Sequence, residues 1–287
     1  MVRAKSTRPA PVKKKAAAKP VRRATQRKAK KKPQREMPSW LRYVIAGLIA
    51  FLFLAAFFYF FIRPYSYRWK PCYGFKAYGV CMPSGFQVHG IDVSHYQGNI
   101  DWEMLTQTRQ GKFPIHFVFM KASEGGDYGD KAFITNFDSA KTHGFIRGAY
   151  HFYNPKTDPI RQADFFINSV KLDSGDLPPV LDIEKRGKDE NQLRRDLKLW
   201  LDKIEQHYKV KPILYTSYKF KTRYLNDSVF NSYPYWIAHY YVDSVKYEGK
   251  WHFWQHTDVG NVPGIEEEVD LNVFNGTLEE LVGMTLQ

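Results

Sequence analysis

PPVLDIE, residues 178–184, is an apolar run that closes on two carboxylates, Asp182 and Glu184. Its length and β-branched content predict a buried strand. Residues i and i+2 share a strand face, so both acids are expected to leave the strand end together, with Ile183 pointing the other way. Two carboxyls held that close raise each other's proton affinity, so that one can stay a neutral acid while its neighbour is ionised.

Working outward, the same kind of run recurs. Before it lie VHGIDVS (88–94), IHFVFMKAS (115–123) and FIRGAYHFY (145–153); after it lie KPILYTS (211–217), YWIAHY (235–240), WHFWQHT (251–257) and EVDLNVF (268–274). Helical patterns fall between the early runs, near 101–109, 130–143, 158–170 and 189–208. The last of these has Leu193, Leu197, Trp200, Leu201 and Ile204 on one face. Strands alternating with helices imply parallel pairing through crossover helices, and eight strands fit a closed α/β barrel. The later connections are too short for full helices. The expected fold is therefore α/β, an irregular TIM-like (β/α) barrel with some helices missing and some late strands antiparallel.

The net charge of +14 first suggests a nucleic-acid binder, but its distribution excludes that. Residues 1–42 carry sixteen Lys or Arg against Glu36 alone, leaving 27 basic and 28 acidic residues elsewhere. The basic stretch 1–41 has almost no large apolar side chains and reads as a disordered cytoplasmic tail, a solvated charge run serving as a topology signal, with contact to anionic lipid headgroups as the alternative. Tyr43 to Ile62 is free of charge and long enough to span a bilayer, so 42–63 is expected to be a single transmembrane signal anchor. The excess of positive charge before it puts the N-terminus in the cytoplasm and the remainder outside, at the cytoplasmic (inner) membrane. Residues 64–87 read as a linker and 88–287 as the folded domain. Cys72 and Cys81, on the oxidising side, are expected to form a short-loop disulfide, with free thiols as the alternative.

Acids and aromatics gather toward the C-terminal ends of the strands, the active face of such barrels. Candidate catalytic residues are Glu184, Asp182, Asp92 and Asp270, the last lying near the middle of its run rather than at its end. Candidate substrate-binding residues are Tyr150, Tyr215, Trp236 and Gln255, since sugars offer apolar ring faces to aromatics and hydroxyls to polar groups. Each has a plainer reading: Asp92 as a helix cap, the aromatics as packing, and Glu124 as a partner of Lys121. No metal-ligand spacing, phosphate loop or serine-nucleophile motif occurs, so no cofactor or metal is expected.

Taken together, GIDVSHYQGNIDW (90–102), FVFMKASEG (117–125), RGAYHFY (147–153), PPVLDIE, PILYTS (212–217), WIAHY (236–240) and WHFWQHTDVGNVPGIEEEVDLNVF (251–274) resemble the glycoside hydrolase family 25 lysozymes, N-acetylmuramidases of the Chalaropsis type. The resemblance is collinear over roughly 88–275. It implies a retaining muramidase acting on the β-1,4 bond between N-acetylmuramic acid and N-acetylglucosamine in peptidoglycan. It further implies Glu184 as general acid and base, Asp182 as stabiliser of the charged intermediate, and Asp92 and Asp270 lining the site. A non-catalytic peptidoglycan-binding module is the competing expectation. The basic tail and membrane span are additions to the family's pattern.

Overall fold

The computed structural model describes residues 37–63 and 71–287. Residues 1–36 of the expected basic tail lie outside them. The chain divides into two compact units, 1–64 and 65–287.

In the first unit, helix α1 (Ser39–Phe57) continues through a π-helical turn, Phe58–Ile62. An 18-residue window of these 24 residues has a mean hydropathy of 2.6 and none is buried, so by length and composition the helix could cross a membrane. It starts three residues before the span expected at 42, after Pro38, whose extended backbone sets the helix start.

In the second unit, eight strands close a barrel: β1 (Val88–Val93), β2 (Ile115–Glu124), β3 (Ile146–Phe152), β4 (Val180–Asp182), β5 (Ile213–Ser217), β6 (Tyr235–Ala238), β7 (Phe253–Gly260) and β8 (Val269–Phe274). Every expected strand is present, within a few residues of its bounds. Strands β1 to β7 pair in parallel with their sequence neighbours. Strand β8 runs antiparallel to both β7 and β1 and closes the ring. A regular (β/α) barrel would have a parallel eighth strand. Here only residues 261–268 link β7 to β8, too few for the crossover that parallel strands require.

The helices follow the early strands: α2 (Trp102–Thr106), α3 (Phe133–Thr142), α4 (Pro159–Ser169) and α5 (Glu190–Tyr208). Asp101, Asp158 and Asp189 cap α2, α4 and α5 by accepting backbone N–H groups of the first turn. The five apolar residues expected on one face of α5 are all buried. Two short helices were not visible in the sequence pattern, α6 (Tyr218–Tyr224) and α7 (Leu278–Gly283). No helix follows β6 or β7.

Strand parity sorts the side chains into two cores. Outward residues such as Ile91, Val118, Met120, Leu181, Leu214 and Ile237 pack beneath the helices. Inward residues include Val88, Phe117, Phe119, Val180, Trp236 and Phe253, and Leu281 of α7 joins them at the floor. The interior is crowded enough to demand glycine: a Cβ at Gly90 would lie 2.4 Å from the Phe117 ring, and one at Gly148 2.5 Å from the Phe119 ring.

The segment 71–87, expected as linker, is part of this unit. A disulfide joins Cys72 to Cys81, with Cα atoms 5.5 Å apart. The pair Lys76–Ala77 and Val80–Cys81 forms a hairpin whose turn, Tyr78-Gly79, has both residues at positive φ. Met82 is buried, and Ala77, Tyr78 and Val80 pack on the outer core. Tyr78 Oη donates to the Phe113 carbonyl at 2.5 Å, and the Tyr78 carbonyl accepts from Asn261 N at 2.8 Å. Apolar side chains and a crosslink make docking more favourable than free solvation, which is why a linker reading fails.

Candidate active site

Inward parity delivers each strand's polar residue to one end of the barrel. On β1, Val88, Gly90 and Asp92 alternate inward; on β2, Phe117, Phe119 and Lys121; on β4, Val180 and Asp182. Strands β1 to β7 point their C-terminal ends this way. Strand β8 arrives reversed, so its contribution comes from its start, which explains why Asp270 lies early in its run. The antiparallel register sets Asp270 directly opposite Asp92.

Asp92 anchors a hydrogen-bond network. Its Oδ2 accepts from Gln255 Nε2 at 2.8 Å and from Asn272 Nδ2 at 2.7 Å. Gln255 Oε1 in turn accepts from Tyr215 Oη at 2.7 Å and Tyr240 Oη at 2.6 Å, and Asn272 Oδ1 accepts from Trp236 Nε1 at 2.8 Å. These donors fix both amides with their NH2 groups toward the carboxylate. Burial pushes the Asp92 carboxyl up to about 6, against the lowering effect of the Asn272 and Gln255 donors. Burial and the neighbouring charge of Asp92 push Asp270 up to about 9. The two acids therefore titrate as a pair sharing one proton.

Asp182 is buried, and its Oδ1 has no hydrogen-bond partner. Burial first, then the charges of Glu184 and Asp92, hold its carboxyl well above the ordinary range, with Lys121 opposing. Glu184 lies beyond the last residue of β4 and is solvent-exposed. Protein atoms still crowd its carboxyl enough for desolvation to raise it, opposed by Lys185 and Lys121. The two acids thus leave the strand end in different surroundings, one sunk into the mouth and one on its rim. Both acids are raised in the free protein, Asp182 the more strongly, whereas the resemblance implied the charged role for it. Asp182 lacks the donors that would hold a carboxylate ionised.

Tyr150 is half-buried beside these acids; burial and the charges of Asp92 and Asp182 keep its phenol protonated. Tyr215 is buried with its hydroxyl committed to Gln255. Trp236 is 2% exposed, stacked 4.4 Å from Phe119 and edge-to-face with Tyr215 at 4.5 Å. It offers no face to a sugar. The reading of Trp236 as a sugar platform is corrected here, because at the start of β6 it points inward well below the rim. Gln255, also 2% exposed, positions Asp92 rather than reaching outward. Lys121, Asn272 and Tyr240 belong to the site and were missed. The signal for the first two was parity: Lys121 continues Phe117 and Phe119, and Asn272 shares the face of Asp270. Glu124 pairs with Lys121 at 2.7 Å, as its plainer reading held.

A closed eight-stranded α/β barrel with carboxyls collected at one mouth defines a class. Residues 91–265 match Glycosyl hydrolases family 25, and the chain belongs to that family. It is a glycoside hydrolase. Among its relatives, the uncharacterized protein YegX of Escherichia coli O6:H1 is 40% identical over 219 residues, covering 76% of this chain and 79% of the relative. Lysozyme M1 of Streptomyces globisporus is 33% identical over 218 residues, covering 69% and 71%. Of solved structures, a family 25 glycosyl hydrolase from Bacillus anthracis superposes with a TM-score of 0.64 at 32% identity, over 70% of this chain and 94% of that one.

Proposed function

We propose that this chain is a peptidoglycan muramidase that cleaves the β-1,4 bond between N-acetylmuramic acid and N-acetylglucosamine with retention. The observation that carries this is the mouth itself, where the accessible Glu184, its proton affinity raised by desolvation, stands beside Asp182, whose buried Oδ1 lacks a donor. The family relationship supplies the substrate class.

Glu184 donates its proton to the glycosidic oxygen as the bond to C1 breaks. The acetamido carbonyl oxygen of the same sugar attacks C1, giving a cyclic cationic intermediate. Binding of the acetamido group gives Asp182 Oδ1 the N–H donor it lacks, the carboxyl releases its proton to solvent water, and the resulting carboxylate balances the positive charge. The carboxylate of Glu184 takes a proton from water, which opens the ring at C1 and restores Glu184. Asp92, held by Gln255 and Asn272, and the protonated Asp270 keep the far wall of the site rigid. The barrel fits a (β/α) type with its last helices lost and its last strand reversed. Helix α1 anchors the chain in the cytoplasmic membrane, with the basic tail inside against anionic headgroups and the barrel outside.

The test is reducing-end release and muropeptide mass spectrometry on purified sacculi with the full chain in detergent. Glu184→Gln should lower kcat by roughly 10²–10⁴-fold. Loss of less than about tenfold would remove Glu184 from the acid role, and binding without new reducing ends from the parent chain would favour a non-catalytic wall-binding module.

A further inference from the structure

The proposed chemistry leaves one feature of the mouth unused. Beyond the acids, the last turns of β2 and β3 and the loops after β1, β2 and β4 set six side chains in a row along the rim. The Tyr96 ring lies 4.2 Å from His95, and His95 lies 6.3 Å from Tyr128. Lys121 Nζ is 5.8 Å from the Tyr128 ring and 4.9 Å from the Phe152 ring, and Lys185 Nζ is 4.9 Å from the same Phe152 ring. Tyr96 and Tyr128 are 74% and 43% exposed, far more than single aromatics engaged in packing require.

The row is built rather than incidental. His95 is fixed at both ends of its residue by one buried oxygen: Asp130 Oδ2 takes its Nδ1 at 2.6 Å and its backbone N–H at 3.1 Å. Tyr128 is set by its pairing with Glu124 in a short hairpin off β2, turned at Gly125 with φ +56. Phe152 ends β3 and has both ammonium groups 4.9 Å from its ring centroid, a cation–π arrangement. Lys121 is neutralised by Glu124, but Lys185 makes no ion pair among the described residues. Arg186 next to it is occupied by Glu190. The rim therefore offers stacking surfaces followed by a cation without an ion pair, near Glu184, whose proton affinity both lysines lower.

We propose that this row is a binding rim for the carboxylate-bearing peptide that hangs from the glycan, with Lys185, aligned by Phe152 and seconded by Lys121, as the residue that selects strands whose peptides carry free carboxylates over those whose peptide carboxyls are amidated. The inference rests on the muramidase reading for its substrate. Aromatic groups take the apolar faces of sugars and peptide, and an ammonium without an ion pair gains a charge-assisted contact on binding an anion. A strand whose peptide carboxyls are amidated offers Lys185 no such contact.

Two measurements on the full chain in detergent decide it. The first is binding, in a Glu184→Gln background, of soluble glycan strands with their peptides against the same strands with every peptide carboxyl amidated, because stripping by an amidase would bare a lactyl carboxylate on each muramic acid. Strands with free peptide carboxylates should bind about five times more tightly, the advantage of one exposed ion pair. Lys185→Gln should reduce that ratio to about one, Lys185→Arg should retain it, and about 0.5 M salt should abolish it. The second is the ratio of kcat/KM on the two substrates with Glu184 intact. Removing Lys185 also raises the proton affinity of Glu184, but that effect is common to both substrates and cancels in the ratio. A parent ratio of one, or a ratio unchanged in Lys185→Gln, overturns the proposal. Absence of cleavage would overturn the muramidase reading instead, while the binding ratio would still decide the rim.

Discussion

Replacing Asp270 by Asn should stabilise the barrel, and only where the native residue is forced to keep a proton. The folded value for Asp270, about 9, lies far above the roughly 3.9 of an unfolded aspartate. A folded state that holds a proton more tightly is favoured in acid. Its contribution is therefore complete below about pH 4 and is lost as pH rises toward 9. Each pH unit in that window costs about 1.4 kcal/mol, giving about 4 kcal/mol at pH 7 as an upper bound. Partial exposure of Asp270 and its sharing of the proton with Asp92 reduce this to about 2–3 kcal/mol. Asn has the shape of the protonated acid and keeps a donor for Asp92, but has no proton to lose. Urea unfolding of the barrel, followed by tryptophan fluorescence with the full chain in detergent, should show Asp270→Asn more stable by that amount at pH 7 and nearly unchanged at pH 4. An equal shift at both pH values would mean that packing, not protonation, is responsible. A loss of stability at pH 7 would refute the raised proton affinity altogether.

Asn272→Ala strips Asp92 of one donor and leaves the buried Trp236 Nε1 without its acceptor. Unfolding experiments should show a loss of about 3–5 kcal/mol, combining a charged hydrogen bond with an orphaned N–H. Gly148→Ala drives a methyl into the Phe119 ring, and the same experiment should register about 1–3 kcal/mol of overpacking, whereas an unchanged midpoint would show that the interior can yield. Reducing the Cys72–Cys81 bond opens a loop with a sequence separation of 9, and the chain-entropy relation puts the loss at about 2–3 kcal/mol, detectable as a lower melting temperature in dithiothreitol.

The alternation of runs made eight strands and four helices legible, because each run was long enough to show its period. What escaped was short or depended on direction. Helices α6 and α7 span seven and six residues, too few for a 3.6-residue repeat to declare itself. The hairpin at 76–81 owes its place to a crosslink and to packing partners distant in sequence. Among site residues, Asp92, Asp182 and Asp270 meet at the mouth, and Glu184 joins them from beyond the strand end. Lys121 was read only against its neighbour Glu124, when counting by twos from Phe117 would have placed it inside. Trp236 failed for the complementary reason: residue type suggested a platform, but its depth below the rim is set by the strand's position in the ring. Proton affinities were the least legible, since burial, which no pattern of letters reports, outweighs proximity for Asp182.

The reversed β8 has a consequence for the path of the chain. Because β8 descends while β1 ascends, Val88 and Phe274 are paired neighbours at the floor, where Leu281 of α7 packs beneath them. The strand circuit begins and finishes within one hydrogen-bonded step, at the end opposite the reacting groups. Such a ring can be rejoined across that step and reopened in any surface loop. A circular permutant would keep the same mouth, and a protein fused at either end of the circuit would leave that mouth free to meet a polymer too large to enter any enclosed site.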